Sequence, residues 1–164
     1  MIEHKFPYES FIGGWYMPEK LCDDMVNYFH TQSHKIGMGK VNSYGISKVD
    51  PDWKKSNELQ IKIPDNTFPF RDYKLCLQEV MNNYQEKYEE VGEMEVIELV
   101  NNYQIQHYKP GQGFKQWHSE RSSKKFQHRT LVFMTYLNDV DDGGTHFKYQ
   151  NLTSPAKKGL TLIW

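Results

Sequence analysis

One tripeptide of the chain carries the residue types of a metal centre: His118-Ser119-Glu120. Side chains two apart on a β-strand point to the same face, so on a strand this imidazole and carboxylate would stand side by side. An imidazole and a carboxylate on one face make two of the three ligands of a 2-His-1-carboxylate facial triad. That triad holds non-heme Fe(II) and leaves coordination positions open for substrate and O2. The chain has 7 histidines and 21 acidic residues among 164. At those frequencies roughly one His-x-Asp/Glu match arises by chance, so the tripeptide takes its meaning from its surroundings. The bland reading beside it is a solvated histidine next to a solvated glutamate.

The elements that must position the pair are strands, and the second half of the chain reads as strands. Val96 to Tyr108 is β-branched and aromatic, and Lys109-Pro110-Gly111-Gln112-Gly113 follows as a hairpin turn. Thr130 to Leu137 is an apolar strand closed by Asn138 through Gly144, Thr145–Tyr149 is another, and Leu160–Trp164 begins a last one. The first half reads as helices. Pro18 suits a first helical position, and Leu21, Met25 and Phe29 follow at four-residue spacing, which predicts a helix over about 18–32. Tyr73, Leu77, Val80, Met81, Tyr84 and Tyr88 form one stripe of a second helix over about 71–90, ended by Gly92. Between them, 33–69 reads as loop with two short strands, one around Leu59-Gln60-Ile61. Gly37 and Gly39 in that stretch would permit lid movement, although glycines are common in loops. Helices first and strands after them predict helices packed on one face of an antiparallel β-sandwich or barrel.

The blocks around His118 occur in a telling order. Tyr108-Lys-Pro-Gly111-Gln-Gly113-Phe114 precedes it. Arg129 through Tyr136-Leu137-Asn138, then Gly143-Gly144-Thr145-His146-Phe147, then Pro155-Ala-Lys-Lys-Gly159 follow it. In this order they resemble the double-stranded β-helix core of prolyl 4-hydroxylase-like 2-oxoglutarate/Fe(II) oxygenases. That family reads Y-x-x-G-x-x-[YF], H-x-D, R…Y-L-N, GG-x-T-x-F and P-x-x-G. The opening Phe11-Ile12-Gly13-Gly14-Trp15-Tyr16 and its helix are similar to small phage and marine-bacterial members. The resemblance covers about 96–164 closely and the helical half loosely.

It implies an α+β fold, a double-stranded β-helix (jelly-roll) core with the N-terminal helices packed on one face. The chain would be a single oxygenase-like domain over 1–164, helical to about 92 and β from about 93. His118 would be the first iron ligand and Glu120 the carboxylate ligand. Tyr136 matches the tyrosine whose hydroxyl binds the distal carboxylate of 2-oxoglutarate, and Tyr108 a phenol lining the cosubstrate and iron pocket. The implied cofactors are Fe(II) and 2-oxoglutarate, with ascorbate as reductant. The implied reaction hydroxylates a C–H bond of a peptide, protein or small molecule, with peptidyl proline as the family-level guess. Strand parity agrees. If Tyr136 faces inward, so do Met134, Val132 and Thr130, while Leu131, Phe133 and Leu137 pack outward; Tyr108, Gln106 and Gln104 likewise share a face, opposite Ile105 and Tyr103.

The chain departs from the family twice. The carboxylate is Glu120 where Asp is usual, so its extra methylene must fold back or the site must widen. The second iron histidine and the Arg or Lys for 2-oxoglutarate would lie past Trp164, which predicts a chain stopping within the last core strand. His107 and His146 sit one residue out of phase with the inward face, as does Lys148, and His128 precedes the strand. A non-enzymatic β-sandwich binding module derived from such an oxygenase is therefore the alternative.

Composition excludes other classes. Aromatic residues reach 15%, against a disordered chain, and a net charge of −1 offers no basic field for a nucleic-acid backbone. Arg121, Lys124, Lys125 and Arg129 read as a solvated basic face beside the site. Cys22 and Cys76 fall in helical apolar patterns and read as reduced core thiols. Without a signal-peptide pattern or a long apolar run, the expected setting is the cytoplasm, away from membranes. Asp139, Asp141 and Asp142 lack the spacing of a calcium loop and read as turn residues, as does Asn151 of the Asn151-Leu152-Thr153 sequon.

Overall fold

The computed structural model describes residues 1–43, 46–62, 66–94, 97–99, 102–121, 124 and 127–164. In chain order its elements begin with β1 (Ile2–Glu3), β2 (Gly13–Tyr16), α1 (Glu19–Thr31), β3 (Gly37–Met38), β4 (Val41–Ser43), β5 (Ile46–Lys48) and β6 (Asn57–Ile61). They continue with α2 (Phe70–Lys87), α3 (Glu89–Gly92), β7 (Tyr103–His107), β8 (Phe133–Thr135), β9 (Val140–Phe147), β10 (Leu152–Ala156) and β11 (Leu160–Ile163). The described pairings are antiparallel. The chain divides into two compact units, one of Met1–Tyr28, Asn66–Glu98 and Leu131–Trp164, the other of Phe29–Asp65 and Leu99–Thr130.

The first unit is built on a sheet of order β1-β2-β11-β8. The stripe that predicts α2 is the face it buries: Phe70, Tyr73, Leu77, Val80, Met81 and Tyr84. Val80, Met81, Tyr84 and Tyr88 form one cluster with Trp15 of β2 and Ile163 of β11, and Leu131 and Phe133 pack against its edge. Each such side chain, fully buried, stabilises the unit by roughly 1.5–3 kcal/mol. The other face of the sheet meets the β9–β10 hairpin. There Met134 and Tyr136 reach Thr145, and Phe147 meets Trp164 edge-on at 5.2 Å. The expected parity of Phe133 and Leu131 toward the helix, and of Met134 and Tyr136 away from it, therefore describes this unit. β11 is buried throughout because both its faces are covered, and its Thr161 hydroxyl bonds Thr135 Oγ1 at 3.0 Å.

In the second unit β6 lies between β3 and β7, and β4 pairs with β5. Leu59 faces Ile105 and Ile61 faces Tyr103 on the apolar side; Glu58 faces Gln106 and Gln60 faces Gln104 on the polar side.

Four expectations change. Residues 33–69 hold β3 to β6 rather than two strands, because two- and three-residue strands are too short to show a period. The N-terminal half supplies β2 and β6 to the sheets as well as helices, so helical and β parts are not separated along the chain. The strand expected from Val96 is described only over Tyr103–His107; Val96, Val100 and Asn101 lie outside the described residues. Asn138–Gly144 is not all turn, since β9 begins at Val140 and the register slips opposite Ser154 and Ala156. Gly144 (φ +119°) sits where a Cβ would collide with the Ser154 carbonyl, which marks a bulge rather than a hairpin end. Asn151 (φ 48°) closes the β9–β10 turn, as expected of it. Cys22 is buried, Cys76 half-buried, and both are free.

Candidate functional site

The segment that carries His118 is shaped by its glycines and by residues 53–55, which precede β6. Lys109-Pro110-Gly111-Gln112 turns, with Gln112 N–H donating to the Lys109 carbonyl at 2.9 Å and Gly111 at φ +76°. The chain then runs beside residues 53–55. Phe114 bridges Lys54, Lys55 N–H donates to Gly113 O at 3.0 Å, and Lys115 N–H donates to Trp53 O at 2.9 Å. No strand follows. Residues 117–119 have no regular structure and Glu120 enters a turn, so strand periodicity is not what brings His118 and Glu120 together. The stretch after Phe114 is polar without alternation and offers no apolar face for a sheet to bury.

The two side chains meet nonetheless. His118 Nε2 lies 3.4 Å from Glu120 Oε1, and both groups are about a third exposed, at 36% and 31%. Glu120 Oε2 accepts from Arg129 Nη1 at 2.8 Å. His118 Nδ1 lies 3.0 Å from the Gln116 carbonyl. A carbonyl only accepts, so Nδ1 carries the proton and the neutral ring presents the Nε2 lone pair to Glu120. Two acceptors aimed at one point need a cation between them, a proton or a metal ion. The Glu120 hydrogen bond raises the His118 pKa against the opposing effect of burial, and the same bond, aided by Arg129, lowers that of Glu120.

The geometry also suits a metal. Two adjacent ligands each about 2.1 Å from an ion stand about 3 Å apart, close to the separation found. The donor atoms are the appropriate ones, and each ligand's second atom is tied to an outer partner, Nδ1 to Gln116 and Oε2 to Arg129. Among the described residues no group of three His, Cys, Asp or Glu side chains surrounds one point, so these residues supply two ligands.

Tyr108 lies in the same unit. Its hydroxyl donates to Gln106 Oε1 at 2.6 Å, and Gln106 Nε2 to Gln104 Oε1 at 2.7 Å, so the three side chains do share one face. Burial raises the Tyr108 pKa, with the charge of Glu58 adding to it, and the phenol stays a donor. Tyr136 belongs to the first unit, where its hydroxyl bonds Thr145 Oγ1 and Ser154 Oγ at 2.8 Å each, and burial raises its pKa too. No family model, curated protein or solved structure matches the chain.

Sequence reasoning missed the groups beneath the pair. Lys54 and Glu58 are 4% and 7% exposed and form an ion pair at 2.5 Å. Ser56 Oγ donates to Glu58 Oε1 at 2.8 Å, and Gln104 Nε2 to Oε2 at 2.5 Å. Gly39 passes so close that a Cβ there would strike Ser56 and Glu58, and its N–H donates to Ser56 O at 2.9 Å. That residue is a close-packing glycine rather than a hinge. The Lys54–Glu58 spacing of four was the available sequence signal, but in a loop it reads as solvated charge. Of the basic cluster, Arg129 serves Glu120, Arg121 Nε donates to Gln127 O at 3.2 Å, Lys124 is exposed, and Lys125 lies outside the described residues.

Proposed function

We propose that the chain is an Fe(II)- and 2-oxoglutarate-dependent hydroxylase with a double-stranded β-helix core, acting in the cytoplasm on a peptide, protein or small molecule. One observation carries this reading: His118 Nε2 and Glu120 Oε1 converge at 3.4 Å with their other donor and acceptor atoms already engaged. The ordered blocks from Tyr108 to Gly159 and the antiparallel sheet faced by the β9–β10 hairpin support it. Bound Fe(II) with 2-oxoglutarate and O2 would supply the oxidising chemistry, converting 2-oxoglutarate to succinate and CO2 and delivering one oxygen atom to a substrate C–H bond. His118 and Glu120 would hold the ion, and Arg129 would keep Glu120 monodentate by occupying its second oxygen. The resemblance assigns Tyr108 and Tyr136 to the cosubstrate, and burial keeps each phenol protonated as a donor.

Anaerobic Fe(II) titration followed by addition of 2-oxoglutarate and O2, with ascorbate present, tests this. The wild-type chain is expected to bind one iron and release succinate, while His118→Ala and Glu120→Ala bind none. Tyr136→Phe should raise the KM for 2-oxoglutarate with iron stoichiometry unchanged. Stoichiometric iron in His118→Ala sinks the ligand assignment.

The non-enzymatic module is favoured by one fact, that each Glu120 oxygen has a partner within the chain, His118 and Arg129. On that reading the wild-type chain takes up no iron and forms no succinate.

A further inference from the structure

Phe114 touches both the buried ion pair and the candidate ligand. The ring of His118 lies flat on that of Phe114, with centroids 3.9 Å apart and planes 9° apart. Lys54 Nζ is 5.1 Å from the centroid of the Phe114 ring. That ammonium cannot wander, because Glu58 holds it at 2.5 Å and Glu58 is itself held by Ser56 and Gln104. The Phe114 backbone is pinned on both sides by the Lys55–Gly113 and Lys115–Trp53 hydrogen bonds.

Two constraints fix an imidazole completely, one on its plane and one on rotation within that plane. The Nδ1–Gln116 bond supplies the second but allows the ring to tilt about the bond. The Phe114 face supplies the first. We propose that Phe114 is a positioning residue for His118: its ring, seated on the Lys54–Glu58 pair, sets the imidazole plane so that Nε2 points at Glu120. The proposal rests on the metal-site reading for its consequence, but the clamp itself is made by protein groups alone. Stacking of parallel rings adds to what area burial alone contributes, and so favours one ring orientation over another. Outer-shell groups that orient metal ligands typically change affinity by about 10–100-fold when removed.

The test uses the whole chain and Co(II) as the probe. In the wild-type metal-free protein, NMR should show an NOE between Phe114 and His118 ring protons and His118 ring resonances shifted upfield by the neighbouring ring current. Phe114→Leu keeps the apolar bulk and removes the aromatic face. It should move those resonances downfield and weaken Co(II) binding roughly tenfold, and Phe114→Tyr should restore both. Absence of the wild-type NOE overturns the proposal without any variant, and so does Phe114→Leu leaving the His118 resonances in place. If the resonances move while Co(II) affinity stays constant and His118→Ala abolishes binding, Phe114 does not position the ligand although the metal reading survives. If wild-type protein takes up no Co(II), the metal reading fails, and the NOE and resonance shifts decide the clamp.

Discussion

Among the described residues, the buried polar side chains of the first unit are the neutral hydroxyls of Ser154 and Thr161, whereas those of the second are Ser56 and the charges of Lys54 and Glu58. The hydroxyls sit beside large apolar surfaces and share hydrogen bonds with Tyr136, Thr145, Thr135 and, through Thr135, Tyr73. Each is satisfied by partly buried neighbours. The ion pair is different, because taking two charges from water costs several kcal/mol per ion and is offset only by close mutual contact and further hydrogen bonds. The first unit is held together by apolar area, with polar groups accommodated in it. In the second, an expensive polar cluster is maintained directly beneath the residue that chemistry would use.

Single substitutions should separate the two regimes. Glu58→Ala leaves the Lys54 ammonium buried and unpaired, and should cost about 3–5 kcal/mol in urea unfolding. Replacing both Lys54 and Glu58 by Met should recover most of that loss, while disturbing the seat of Phe114. Tyr84→Ala, which empties the α2–β2–β11 cluster, should cost a similar ~3–5 kcal/mol, but there no second substitution restores stability by removing a stranded partner. Full destabilisation persisting in the Lys54/Glu58 double variant would mean that the pair is held for packing and that the regimes are alike.

Tyr136→Phe should be milder, about 1 kcal/mol. Ser154 Oγ keeps a hydrogen bond from Thr145 N–H at 3.2 Å when the phenol is gone, so no buried group is left without a partner. A loss as large as that of Glu58→Ala would show that the hydroxyl cluster, too, acts as an indivisible unit.

How much of this was legible beforehand follows the same division. α1 and α2 could be read because apolar residues at three- and four-residue spacing are themselves the cause of burial on one helical face. Inward Tyr136 and outward Phe133 followed from the period of two. His118 and Glu120 were found by residue type, yet the strand expected to join them is absent; a Gln116 carbonyl, an Arg129 guanidinium and a Phe114 face do so instead. Those contacts, like the burial of Lys54 and Glu58, arise where β6, β7 and the chain around Phe114 meet, and no local pattern encodes such a meeting. Gly143-Gly144 misled because glycine serves both a turn and a bulge.

The smallest expected effect concerns pH in the metal-free protein. Pairing raises the His118 pKa above its ordinary value of 6.5, so its contribution to stability is full below that pH and fades as pH rises through the raised value. Pairing lowers the Glu120 pKa below its ordinary value of 4.5, so its contribution is full above that pH and fades as pH falls through the lowered value. Both are fully present together between the two ordinary values, from 4.5 to 6.5. The stability difference between wild type and Glu120→Gln should therefore peak in that window and shrink on either side. Exposure of about a third on each group keeps the peak under about 1 kcal/mol. Tyr136→Phe supplies the contrast, since no group it disturbs titrates there and its deficit should stay level across the same range. A flat profile for Glu120→Gln would show that the His118–Glu120 contact makes no net contribution in solution. A peak found there and absent from Tyr136→Phe would confine charge-coupled stability to the unit that holds the candidate ligands.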